Sequence, residues 1–183
     1  MSCPFDDFFG DAKGPFDASY EQGKRDEEIV KDHIESLGLQ VRWATDGEDR
    51  LGKCDFFWRT TASEKWSGVD VKGLKPGGTI VEHQGITGHP GWLHGKARQI
   101  AFRTSKSEFA WVDRKAFVKF VYLKLGQPPK PAPKGRNSAM PEGKWFSRHN
   151  RDDVIARVSP GFFDEFDEYA RGIGQDWWIS KLG

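Results

Sequence analysis

At 183 residues the chain is long enough for one domain with a proper core, and 28 basic against 27 acidic residues leave it nearly neutral. That balance excludes a histone-like polycation and an acidic nucleic-acid mimic, so a nucleic-acid contact must come from a local patch. Two cysteines, Cys3 and Cys54, exclude a disulfide scaffold and a four-cysteine zinc site, and both read as inert thiols. The start, "MSCPFDDFFGDAKGPF", is acidic and broken by Pro and Gly, unlike a signal peptide, and no apolar run approaches the ~20 residues of a membrane span. A soluble, cytoplasmic protein away from membranes is expected.

Residues 1–18 read as an N-terminal arm carrying turn formers and scattered Phe. "ASYEQGKRDEEIVKDHIESLG" predicts a helix with Ser19 as N-cap, early acids and Gly38 as the stop; Val30, His33, Ile34 and Leu37 share its apolar stripe. Three strands follow, "LQVRWAT", "CDFFWRTT" and "WSGVDVKGL", the first two joined by a turn at "DGEDRLGK". "TIVEHQG" is a fourth strand candidate, and "ITGHPGWLHGK" a glycine-rich loop. "ARQIAFRT" and "EFAWVDR" form a strand pair around "SKSE", and "RKAFVKFVYLKLG" a helix. These close a core spanning 19–125. Residues 126–144 hold five of the ten prolines with interspersed lysines, a loop or linker that cannot be a helix or a central strand. Residues 145–183 read as a C-terminal extension packing on the core, with a strand in "KWFSRHNRDDVIARVS" and a helix in "PGFFDEFDEYARGIG".

The chemistry concentrates on "CDFF" and "VDVK". Residues two apart on a strand share a face, so Asp70 and Lys72 project together, opposite Val69 and Val71. Strands sit ~4.8 Å apart, so a meander brings Asp55 beside Asp70. Two carboxylates and an ammonium then converge. Oxygen ligands from Asp55 and Asp70, with the Val71 carbonyl and water, suit Mg²⁺, with Mn²⁺ as a substitute, and leave positions open for a phosphate. Lys72 is placed to orient or activate an attacking water, the chemistry of metal-assisted phosphodiester hydrolysis.

In order and spacing these residues resemble the PD-(D/E)XK nuclease superfamily, which includes restriction endonucleases and Holliday-junction resolvases: "KRDEEIV", "CDFF" and "VDVK" stand for the helix acid, the second-strand Asp and the (D/E)-x-K. "TIVEHQ", "GHPGWLHGKARQIAF", "AWVDRKAFVKFV" and "WFSRHNRDDVIARVS" extend the resemblance to phage and bacterial members, from about Tyr20 to Ser159. Cys54 replaces the proline of the motif, and Arg98-Gln99 stand where an Asp is usual. The resemblance implies a restriction-endonuclease-like α/β fold, an αβββαβ core with a central mixed sheet flanked by helices. It implies a Mg²⁺-dependent DNA endonuclease leaving 5′-phosphates, with Asp55, Asp70, Lys72 and Glu27 catalytic. Asp55, Asp70, Val71, Glu27 and Glu82 would form the metal set, Glu82 serving a second metal or a water. Asp26, Glu27 and Glu28 compete for the helix acid, and spacing favours Glu27.

Lys130, Lys134, Arg136, Arg148 and Arg151, with Lys144, form a cationic stretch able to follow a DNA backbone, or an exposed solubilising linker. DNA is the expected partner, a homodimer is compatible with a two-strand cut, and host cytoplasm is the expected compartment if the origin is a phage. His83, His89 and His94 lie in and beside the Gly/Pro loop without a matching cysteine pair, which favours phosphate contact or plain loop histidines over zinc. Trp92 is expected to pack beneath the site. The rival functions are an inactive nuclease-fold protein that binds nucleic acid or a partner, and an interaction protein using "PPKPAPK".

Overall fold

The computed structural model describes residues 15–73, 79–103, 105, 108–130, 132–135, 142–148, 151–159, 161–174 and 178–181. Residues 1–14 of the expected arm, and Arg136, lie outside these.

Helix α1 (Pro15–Ser36) begins earlier than its sequence signals suggest, so Ser19 lies inside the helix rather than capping it, and the helix includes the last residues assigned to the arm. Lys24–Glu27 and Lys31–Glu35 pairs, each 2.7 Å, support its surface at helical spacing. Gly38 ends it with φ of 78°, and its amide donates to the Glu35 carbonyl at 2.9 Å. Asp26, Val30 and Ile34 form the buried stripe; Leu37 is 63% exposed, because the chain has already turned away from the core there.

Strands β1 (Gln40–Trp43), β2 (Phe56–Arg59) and β3 (Ser67–Lys72) make the expected antiparallel meander. The segment expected as a turn between the first two folds instead into α2 (Asp46–Gly52). Its cause is a capping box. Thr45 Oγ1 accepts from the Glu48 amide while the Glu48 carboxylate accepts from the Thr45 amide, and Lys53, at φ of 52°, closes the other end. Strand β3 then pairs in parallel with β5 (Gln99–Arg103), which pairs antiparallel with β6 (Glu108–Asp113), and β10 (Trp178–Lys181) completes a mixed sheet ordered β1-β2-β3-β5-β6-β10. The crossover between parallel β3 and β5 runs through β4 (Thr79–Gln84) and a short 3₁₀ turn at Trp92–His94, whereas the αβββαβ order places an α-helix after the third strand.

Strand β4 leaves that sheet and pairs with β9 (Val154–Val158), followed by β8 (Trp145–Arg148) and the two-residue β7 (Lys134–Gly135). The single strand expected in "KWFSRHNRDDVIARVS" is therefore two antiparallel strands of a second sheet. Residues after 145 supply strands to both sheets. Helix α3 (Arg114–Leu125) is capped by Asp113, whose side chain accepts from the Ala116 amide at 3.0 Å.

Alternation along β3 sorts two cores. Val69 and Val71 pack with Val30 and Ile34 of α1. On the opposite face, Ile100 and Phe102, aligned with Asp70 and Lys72, join Phe117 and Phe120 of α3 and Phe162 and Phe166 of α4 (Gly161–Gly172). Each fully buried aromatic there contributes roughly 1.5–3 kcal/mol by area alone. Asp70 and Lys72 thus emerge at the margin of the larger core, which fixes their backbone.

Candidate active site

One step past the Phe56–Val69 rung, Asp55 falls opposite Asp70. The Asp55 amide donates to the Val69 carbonyl at 2.8 Å, and Asp55 Oδ2 accepts from the Val71 amide at 2.6 Å. By the two-residue repeat of strand backbone, the Val71 carbonyl lies along this same edge of β3. The neighbours Cys54 and Phe56 are buried, and Cys54 Sγ lies 3.0 Å from where a Cβ on Gly68 would sit, so the approach of β2 to β3 depends on that glycine. Burial pushes the Cys54 thiol up to about 11, with the Asp70 charge adding to it, which fits the expectation of an inert thiol.

Burial pushes the Asp55 carboxyl up to about 7, reinforced by the Asp70 charge and, more weakly, by Glu27, while Lys72 opposes the shift. Asp70, 2% exposed, is held from both sides: Lys72 Nζ bonds Oδ1, and Arg114 Nη2 donates to Oδ2 at 2.7 Å. Arg114 is itself buried, donating from Nε to the Ala97 carbonyl at 2.7 Å and from Nη1 to the Trp92 carbonyl. Gly95 makes room for it, since a Cβ there would stand 2.9 Å from Arg114 Nη1. Trp92 is buried against Phe102 and Phe117, and Lys72 Nζ lies 5.3 Å from its ring centroid. The expected packing role of Trp92 holds, and the tryptophan also flanks the lysine.

The three competing acids of α1 separate. Asp26 turns into the protein, 1% exposed, and Oδ1 is taken by Arg103 and by Gln22 at 2.8 Å. Glu28 is exposed on the helix surface. Glu27 bonds Lys24, has its carboxyl raised by burial, and feels the Lys72 charge. A cleft of about 320 Å³ is lined by Glu27 and Asp55 together with Lys24, Asp46 and Asp49. Glu28 lines the same cleft, and Glu27 is the one whose charge adds to the upward push on the Asp55 carboxyl. Glu82 of β4 approaches from the second sheet: burial raises its carboxyl, and Lys72 and Lys53 oppose that shift. The close pass of Gly91, where a Cβ would stand 2.3 Å from the Glu82 carbonyl oxygen, seats the Trp92 turn on this strand.

Asp55, Asp70, Lys72, Glu27 and Glu82 thus belong to one electrostatic neighbourhood, with Arg114 as a member that sequence reasoning missed. Its signal in the sequence was the "VDR" at the junction of β6 and α3. Among the described residues, no three His, Cys, Asp or Glu side chains stand close enough together to share one ion. The carboxylates fit a hard dication in kind, but Asp70 spends its oxygens on Lys72 and Arg114.

The cationic residues divide. Lys130 and Arg151 are exposed, as is the Lys144 side chain. Lys134 donates to Ser147 Oγ at 3.0 Å and to the Arg151 carbonyl at 2.6 Å, and Arg148 is paired with the buried Asp153, whose Oδ1 also accepts from the Arg148 amide at 2.9 Å. No family model, curated protein or solved structure matches this chain. No helix among the described residues is long and apolar enough to cross a membrane.

Proposed function

We propose that the chain is a metal-dependent DNA endonuclease with a restriction-endonuclease-like core, hydrolysing phosphodiester bonds with Mg²⁺. The observation that carries this reading is Asp55. Its carboxyl is pushed up to about 7 by burial and by Asp70, on the rim of a cleft it shares with Glu27. A fold gains nothing in stability from such a group, and carboxyls raised by burial and a like charge beside a cleft cluster at functional sites. Asp55 and Asp70 would hold the ion, with Glu27, Glu82 and the Val71 carbonyl as further direct or water-mediated ligands. When bound, the ion would polarise the scissile phosphate and neutralise its developing charge.

The chain's own groups have separable tasks. The Val71 amide fixes Asp55 by its hydrogen bond and so sets the direction of the second carboxylate oxygen. Arg114 fixes Asp70 from the core side, and Lys72, at the solvent side, orients the attacking water and offsets charge on the phosphate. Trp92 limits the swing of Lys72. The exposed Lys130 and Arg151 would follow the DNA backbone, and a homodimer would present two such centres to a duplex.

A second reading keeps the scaffold without the reaction, as a protein binding nucleic acid or a partner. It is favoured by the two cations already on Asp70. Supercoiled and branched DNA incubated with Mg²⁺ or with EDTA separates the two. Scission that requires Mg²⁺ supports the nuclease; DNA binding without scission on either substrate supports the scaffold.

A further inference from the structure

A second cluster stands outside the carboxylate site. In β4 the side chain after Glu82 is His83, which alternation sends to the other face of the strand. The 3₁₀ turn after Gly91 carries His94 back toward it, and the third turn of α3 delivers Tyr122. His83 Nδ1 lies 2.8 Å from Tyr122 Oη and 3.1 Å from His94 Nε2, and Tyr122 Oη lies 3.3 Å from His94 Nε2. Three lone-pair atoms from three separate elements form one triangle.

From this geometry we propose that His83 Nδ1, His94 Nε2 and Tyr122 Oη form a binding site for one first-row transition-metal dication of the Zn²⁺ kind. Metal–ligand lengths of about 2.0–2.1 Å in a tetrahedral site put the donors about 3.3 Å apart, so the observed triangle needs to open by at most about 0.5 Å along its shortest edge. Hydrogen bonding alone serves the triangle poorly. A neutral ring nitrogen donates or accepts but never both, so no placement of protons makes more than two of the three edges full hydrogen bonds. An ion at the centre uses all three lone pairs at once.

Imidazole nitrogens with a tyrosine oxygen suit zinc and its neighbours rather than Mg²⁺, which separates this site chemically from the carboxylates. The Trp145 ring stands at the edge of His83, with centroids 5.9 Å apart, and covers one side of the cluster. Three protein ligands leave a fourth position for water or an anion, and a cavity of about 360 Å³ lined by His83, Lys130 and Lys134 offers an anion room nearby. The ion would fasten β4, the turn behind Trp92 and α3 together. The proposal is independent of the nuclease reading.

Co²⁺ titration of the full chain, in excess Mg²⁺ to fill oxygen sites, tests it by visible spectroscopy. One equivalent should produce the intense bands of four-coordinate cobalt, displaced by one equivalent of Zn²⁺. His94→Ala, at an exposed position, should abolish the bands with unchanged far-ultraviolet circular dichroism, and Tyr122→Phe should weaken affinity at least about tenfold. Only the faint bands of octahedral cobalt in the wild type, or intense bands that persist in His94→Ala, would overturn the site.

Discussion

Arg114 donates to Asp70 across 2.7 Å inside the protein, with the two side chains 6% and 3% exposed. A charge buried this deeply depends on its partner, because removing one member leaves the other without compensation. Arg114→Met is expected to cost roughly 3–5 kcal/mol, read by urea denaturation, and Arg114→Lys to recover only part of it, since lysine cannot reproduce the fork onto Asp70 and the Ala97 and Trp92 carbonyls. Equal stability of wild type and Arg114→Met would remove the arginine from the account.

Asp55 gives the opposite sign. Its carboxyl ionises near 4 in an unfolded chain but only near 7 in the fold, so the folded state holds more protons across that interval. Stability without metal therefore falls as pH rises from 4 to 7 and stays reduced above it. Asn keeps an oxygen for the Val71 amide and carries no charge. Asp55→Asn is expected to stabilise the metal-free chain at pH 8, by up to about 4 kcal/mol, and to leave it unchanged at pH 4. Thermal melts at the two pH values check this, and a destabilised variant at pH 8 would contradict it.

Gly91 tests the seating of the Trp92 turn. A methyl group there would meet the Glu82 carbonyl oxygen at 2.3 Å, and backbone must move to admit it. Gly91→Ala should cost roughly 1–3 kcal/mol in a chemical melt. Gly23→Ala, with nothing within 4 Å of the added carbon, should be neutral or slightly stabilising.

The cationic residues should divide in the same way in DNA binding. Lys130→Ala with Arg151→Ala removes two exposed charges and should reduce the slope of log affinity against log salt by about 2. Asp153→Ala should instead destabilise the fold, because it strips the buried partner from Arg148. Filter binding across a salt series, with melts alongside, separates a phosphate-contacting role from a structural one.

Local patterns carried most elements from sequence to structure. The β3 alternation predicted both faces, and Gly38 ends α1 as its position suggested. Helix α2 was readable in principle from "TDGE", a capping box, but charge and glycine made the segment look like a turn. The second sheet was not readable: β4 pairs with β9 some seventy positions away, and no local pattern specifies that partner. At the site, Asp55, Asp70 and Lys72 were legible because one strand register places them. Spacing favoured Glu27 among three adjacent acids, whereas the commitment of Asp26 to Arg103 is a tertiary contact that spacing does not show. Tyr122 escaped notice beside His83 and His94 for the same reason as Arg114 beside Asp70: tertiary packing, not spacing, brings each to its partner.

The most direct measurement is the single-turnover rate of DNA cleavage in Mg²⁺ for wild type and for Lys72→Ala, a variant that leaves Asp70 its bond to Arg114 and so keeps the core intact. Mg²⁺-dependent scission that falls by about 10²–10⁴-fold in the variant is the predicted result. Scission that proceeds equally in EDTA, or at an unchanged rate in Lys72→Ala, would contradict the assignment of this cluster as a nuclease centre.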